Sequence, residues 1–239
     1  MNEFDSTFAR TPEPEVMEEE EQCAAYANAD FSEANESFIS HWRARFPNAQ
    51  SGVWADLGCG PADIPIRLCT LFPGISIVAA DASEAMTDLA RKDIANQNLD
   101  ARIRLFCGLV SNLTPPDSGF DGIISNSLLH HLPDPSILWN ELIRQGKPGS
   151  PIMIMDLRRP PTLAAAADIV EQYSAEDPEV LKKDFYNSLL AAYTPNEIRA
   201  QLDHARLESL AVESISDRHL LVWGRLPDSS PVDLKQNTP

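Results

Sequence analysis

The sequence predicts a doubly wound α/β fold: one domain built on a mostly parallel seven-stranded sheet with helices on both faces. Three observations predict it. Val53–Leu57 reads as a buried strand carrying one acid, Asp56, and runs through Gly58 and Gly60 into Ile64, Leu68 and Leu71. Those three have the 3- and 4-residue spacing of a helix face, and Pro65 suits its first turn. Ile75–Ala80 is a continuous apolar run, the pattern of a parallel strand covered on both faces. Beyond it, strand-like runs and helical stripes keep alternating, as helices packed on a parallel sheet require.

The elements follow in order. Residues 1–14 are polar and are expected to form a disordered acidic tail, ahead of a single domain at 15–226. Within it, 15–50 reads as two helices, which the resemblance named below implies form an N-terminal lid. Glu18–Glu21 forms the acidic first turn or a solvated face, and Cys23–Ala29 continues the first helix with Tyr26. Ser32 is placed to cap the second, whose apolar stripe is Phe38, Ile39, Trp42 and Phe46. After the strand ending at Asp81, Ser83 caps a helix with Ala85, Met86, Leu89, Ala90 and Ile94 on one side. Arg102–Cys107 is a third strand, Asp121–Ser125 a fourth, Pro135–Gln145 a helix, and Ile152–Met155 a fifth strand ending in Asp156. Two helices marked by Leu163, Ala167, Val170 and by Leu181, Phe185, Leu189 form an insertion at 160–193. Thr194-Pro-Asn-Glu197 is a capping box opening a helix to about Ala205. Leu207–Ile215 and His219–Arg225 close the sheet as an antiparallel hairpin, and 227–239 is a polar tail expected to be disordered.

Composition narrows the function. A net charge of -17 with no basic stripe opposes binding to a nucleic-acid backbone. No apolar run reaches the ~20 residues of a membrane span, and the polar, acidic start is not a signal peptide. The four cysteines have neither zinc spacing nor a secreted framework, so a reduced, cytoplasmic protein is expected.

The acids at the strand ends select the cofactor. A dinucleotide loop places a third glycine where this chain has Asp63, and Asp56 precedes the turn. Two carboxylates disfavour a pyrophosphate and suit a cationic group. With Asp56, Gly58, Gly60 and Ala62, the segment resembles the first motif of class I S-adenosylmethionine (SAM)-dependent methyltransferases, Asp/Glu-x-Gly-x-Gly-x-Gly, with Ala62 in place of the last glycine. Leu129-His-His-Leu-Pro-Asp134 resembles the segment after the fourth strand in the ubiquinone-biosynthesis-like group of small-molecule methyltransferases.

The resemblance implies a Rossmann-like SAM-binding fold and metal-independent methyl transfer to a small-molecule acceptor, at an oxygen, nitrogen, sulfur or carbon atom. It implies cofactor contacts at Asp56, Gly58, Gly60, Pro61, Asn126 and Ser127, with Asp81 accepting hydrogen bonds from the ribose hydroxyls. Ala82 and Met86 would touch the adenine. The family's Gly-Asp after the third strand is Gly108-Leu109 here, which leaves the adenine edge to backbone groups. Tyr26 lies near the cofactor or packs its helix onto the core. His130 or His131, beside Asn126, either deprotonates an acceptor hydroxyl or only bonds backbone. Arg158 and Arg159 either bind an anionic acceptor or pair with Asp156 and the acidic lid; Tyr193 is a candidate acceptor-lining aromatic. No metal is expected, because Asn126 offers no carboxylate and the sequence puts no His/Asp/Glu cluster elsewhere. A monomer or homodimer is expected. The other readings are a SAM enzyme performing a different transfer or a rearrangement, a non-catalytic SAM-binding or partner-binding protein, and a nicotinamide dehydrogenase, which Asp63 opposes.

Overall fold

In the computed structural model, residues 7–13 and 31–228 are described. Helix α1 (Ser32–Arg45) precedes strand β1 (Ser51–Leu57). Then come α2 (Asp63–Leu71), β2 (Gly74–Asp81), α3 (Glu84–Asn96), β3 (Ile103–Cys107), β4 (Gly122–Asn126), α4 (Ser136–Gln145) and β5 (Pro151–Leu157). The insertion helices α5 (Leu163–Ser174) and α6 (Glu179–Ala191) follow, then α7 (Pro195–Ala205), β6 (Ala211–Ser214) and β7 (His219–Arg225). The sheet has seven strands in the order β3-β2-β1-β4-β5-β7-β6. The first five are parallel, and β7 runs antiparallel to both β5 and β6. Strand order reverses between β1 and β4, the crevice where doubly wound sheets bind ligands beyond their carboxyl ends.

The alternation of side chains along the strands builds two cores. From β1, Ala55 and Leu57 join Ile152 and Ile154 of β5 beneath α4 and α7, through Leu138, Trp139, Ile198 and Leu202. Trp54 of β1 and Met153 of β5 face the other way, onto Phe38 and Trp42 of α1, Leu68 of α2 and Ile94 of α3. Trp42 and Trp54 meet with centroids 4.5 Å apart, a contact worth about 0.5–1.5 kcal/mol beyond its buried area. Trp42 is therefore a core residue that clamps α1 to the sheet. A third, smaller core of Leu157, Ala166, Ile169, Leu189 and Ala192 seats the insertion at the carboxyl end of β5.

The local signals mostly hold. Ser83 Oγ accepts from the Met86 amide at 3.3 Å, and the Thr194–Glu197 capping box is complete. Three expectations are corrected. Helix α1 begins at Ser32 itself, with Phe31 in the N-cap position and no side-chain capping bond. The hairpin's first strand is only Ala211–Ser214, because Leu207–Leu210 is spent turning out of α7. Residues 7–13 are not a loose tail. The Thr7 and Thr11 amides donate to Pro161 O and Leu190 O, and Arg10 donates to Ala191 O at 2.5 Å and to His130 O at 2.8 Å. This short strap therefore runs along the insertion. The first lid helix, with Tyr26, and the tail from residue 229 lie outside the described residues.

Candidate active site

The turn after β1 is shaped by two glycines with different tasks. Gly58 (φ +76°) could carry no Cβ, which would sit 2.9 Å from the Leu128 side chain. Its freedom lets the turn pack under the segment after β4. At Gly60 (φ +50°) an added Cβ would meet nothing within 4 Å. There the backbone borders open space, as a ligand cradle requires. The Gly58 and Cys59 amides both donate to Ala80 O, at 2.8 and 2.9 Å. The Gly60 amide donates to Asp81 Oδ2 at 2.8 Å, and the Ser83 amide to Asp81 Oδ1 at 2.9 Å. Gly108 completes this rim by donating its amide to Asp81 O at 2.8 Å. Ala82 and Leu109 are exposed beside it, Pro61 is half-buried, and Met86 is buried in the first turn of α3. Gly60, Asp81 and Gly108 thus form one rim at the ends of β1, β2 and β3, with Pro61, Ala82 and Leu109 beside it.

Asp56 is the unusual member. It is fully buried near the end of β1, and its Oδ1 has no hydrogen-bond partner. Burial, with the Asp81 charge adding to it, pushes its pKa up to about 8. Asp81 is raised too, chiefly by burial, with the amides of Ser83 and Gly60 opposing. On the adjacent strand Asn126 also buries a partnerless Oδ1, and Ser127 follows in the left-handed region (φ +57°). Ser127 is held there by its amide bond to Met155 O at 2.9 Å. Two orphaned acceptor oxygens on neighbouring strands cost several kcal/mol unless a donor or cation meets them.

The histidines stand just beyond β4, in a short 3-10 turn, Leu129–His131. His130 is buried, and its Nδ1 lies 2.6 Å from Asp156 Oδ1 at the end of β5. Asp156 is held in turn by the Leu129 and Leu157 amides, both at 2.7 Å. Burial alone would lower the His130 pKa, but Asp156 outweighs it and the pKa rises. His131 Nδ1 lies 3.2 Å from Glu13 Oε2 of the strap. Burial and the neighbouring His130 lower the His131 pKa against the pull of Glu13. The sequence suggested neither partner: Asp156 is 26 residues from His130, and Glu13 belonged to a segment expected to be loose. It also put no His/Asp/Glu cluster in the chain, whereas one ligating atom from each of Glu13, His130 and His131 lies within 4.8 Å of the others.

Of the two arginines, only Arg159 is corrected. Arg159 pairs with Glu197 Oε1 at 2.5 Å with its side chain 5 % exposed, and it also donates to Ala192 O. Arg158 donates to Asp217 O at 2.9 Å. The Arg159 charge is already neutralised inside the fold, so it is not free to take an anion. Tyr193 is buried beneath the Arg10 guanidinium, 4.3 Å from its ring centroid, and belongs to the core. Among the described residues no helix is long and apolar enough to cross a membrane.

Comparison with known proteins agrees with this geometry. Residues 55–149 match the family model described as a methyltransferase domain. A demethylmenaquinone methyltransferase of Lactobacillus johnsonii is 32% identical over 124 residues, covering 50% of this chain and 51% of the relative. A trans-aconitate 2-methyltransferase of Variovorax paradoxus is 33% identical over 121 residues, 50% of this chain and 44% of the relative. The chain therefore spans about half the length of these curated relatives. Among solved structures, the plantazolicin methyltransferase BpumL, in complex with a triazolic desmethylPZN analog and SAH (S-adenosylhomocysteine), has a TM-score of 0.66 at 17% identity, covering 87% of this chain and 90% of that one. The [4+2]-cyclase SpnF shares the fold, with a TM-score of 0.58 at 13% identity, over 95% of this chain and 90% of its own. The matched segment makes residues 55–149 similar to the methyltransferase-domain family, and the strand order gives the chain the fold of these solved methyltransferases.

Proposed function

We propose that the protein transfers a methyl group from SAM to a small-molecule acceptor. The observation that carries this reading is the pair of orphaned buried oxygens, Asp56 Oδ1 and Asn126 Oδ1, at the ends of adjacent strands. A cofactor with a cationic amino-acid end and no phosphate meets such acceptors, whereas a pyrophosphate would be repelled by Asp56 and Asp81. SAM supplies an activated methyl on a sulfonium. The chain's own residues then have three tasks. Asp81 and the Gly60 turn hold the ribose end. Asp56 and Asn126 fix the amino-acid end. His130 and His131 meet the acceptor's heteroatom, with His130 held in place by Asp156. Alignment of donor and acceptor with water excluded is the main source of rate in such a displacement.

Acceptors of the small-molecule kind fit the named activities of the relatives, and the net charge of -17 disfavours nucleic acid. Cys59, Cys69 and Cys107 are free thiols, in keeping with work in a reducing cytoplasm as a monomer or homodimer. Calorimetric titration with SAH tests the cofactor assignment: saturable binding by the wild type, weakened at least about tenfold in Asp81→Ala, is expected from loss of charge-assisted hydrogen bonds. A folded wild type that ignores SAH would overturn the reading. Mass spectrometry of acceptors incubated with SAM then separates methyl transfer, which adds CH₂, from a rearrangement, which adds nothing.

A further inference from the structure

We propose that Glu13, His130 and His131 form a binding site for one divalent transition-metal ion of the zinc class. The site joins the N-terminal strap to the turn after β4. One ligating atom from each residue lies within 4.8 Å of the others, close enough to share one ion. The two imidazoles are close neighbours, with ring centroids 4.0 Å apart and planes tilted by 39°, and His131 Nδ1 lies 3.2 Å from Glu13 Oε2.

The surroundings are those of a supported ligand set. A metal-binding histidine almost always gives its other ring nitrogen to a carboxylate or carbonyl, which fixes tautomer and ring direction. Asp156 does this for His130: it accepts the Nδ1 proton at 2.6 Å and leaves the lone pair on Nε2. Asp156 is itself pinned by two backbone amides at 2.7 Å. Glu13 is oriented in the same way, by Ser188 Oγ at 3.0 and 3.2 Å from its two oxygens. Glu13 and Asp156 bring two negative charges to the cluster, and Arg10, whose Nη2 bonds His130 O at 2.8 Å, brings one positive charge. The set is net negative, which favours a bound cation. Two imidazoles and one carboxylate suit zinc and its first-row neighbours, whereas Mg²⁺ and Ca²⁺ prefer oxygen ligands throughout. Three protein ligands leave a fourth tetrahedral position for water or an oxygen of the acceptor. The site deepens the proposed function by favouring acceptors that offer an oxygen ligand, and that clause alone rests on the function proposed above.

The test uses the full chain, tag removed and stripped with chelator, titrated with Co²⁺ and with Zn²⁺. One equivalent should bind, with the visible absorption of four- or five-coordinate Co²⁺, and Mg²⁺ should not compete. Glu13→Gln and His131→Asn should each weaken Co²⁺ binding at least tenfold, and Asp156→Asn by about 10–100-fold through its hold on His130. Circular dichroism and SAH titration of the same samples check that the variants are folded. Absence of one-to-one binding by the wild type, or equal binding by Glu13→Gln and His131→Asn, would overturn the metal site. SAH binding without metal binding sinks this inference alone; metal binding without SAH binding sinks the methyltransferase reading and leaves the metal site standing.

Discussion

The Gly60 amide donates to Asp81 Oδ2 at 2.8 Å, so the turn after β1 is tied to the tip of β2 before any ligand arrives. The two glycines of that turn should then respond differently to the same change. Gly58→Ala drives a Cβ into Leu128 at 2.9 Å in a backbone region that favours glycine. It should lower stability by about 2 kcal/mol or more, read by denaturant unfolding. Gly60→Ala has open space and should cost only about 1 kcal/mol. It should nevertheless weaken SAH binding at least tenfold, because the added methyl stands where the cofactor approaches. SAH affinity unchanged in Gly60→Ala would remove this turn from the cofactor site.

Asp56 gives the free protein a defined pH dependence. Its carboxyl titrates at 3.8 when unperturbed and at about 8 in the fold. Between those values the folded state holds a proton that the unfolded chain has released. Stability therefore falls as pH rises through that window and levels off above about pH 8. Asp81, also raised, acts in the same direction. SAH binding should show the opposite trend. Its ammonium pairs with the ionised carboxylate, so affinity should rise from pH 6 to 8. Asp56→Asn should flatten both curves, as thermal denaturation and calorimetry across pH would show.

Asp156→Asn replaces the acceptor of the His130 Nδ1 proton with an amide. The imidazole then loses its fixed tautomer, while the rim around Asp56 and Asp81 is untouched. The expected result is a fall in kcat of at least about a hundredfold, with SAH affinity within twofold of wild type. Equal losses in both would mean that Asp156 only supports the fold.

Arg159→Met should act on stability rather than on acceptor choice. Its partner Glu197 is 40% exposed, so the carboxylate left behind is partly solvated. A loss of about 1–2 kcal/mol is expected, with KM for a carboxylate acceptor unchanged. A rise in that KM would restore Arg159 to the acceptor pocket.

The glycine turn and acids proposed to hold the cofactor were legible as a pattern because they are local. Asp56, Gly58 and Gly60 are neighbours in the chain, Asp81 follows a continuous apolar run, and Gly108 follows an alternating one, each marking its strand. The acceptor half was legible only in part. The two histidines stand out in sequence, but their partners come from β5 and from the strap, and no periodicity links residue 13 to residue 131. Arg159 misled for a related reason. A cation at a strand's carboxyl end looks available until the fold brings Glu197, itself part of a capping box, against it. Ser32 misled more simply: any serine before an apolar stripe reads as a cap, and only the backbone angles of Phe31 show where the helix starts.

Strand β5 is the seam where the parallel and antiparallel parts of the sheet meet, and Asp156 pairs there with Leu220 of β7. The acid that steers His130 is thus braced by strand β7 of the closing hairpin, whereas Asp56 and Asp81 sit on strands from earlier in the sequence. Loosening of β7 would therefore disturb the histidine before it disturbed the glycine turn. Fraying of the closing hairpin would likewise silence the acceptor chemistry first and leave an empty-handed cofactor binder.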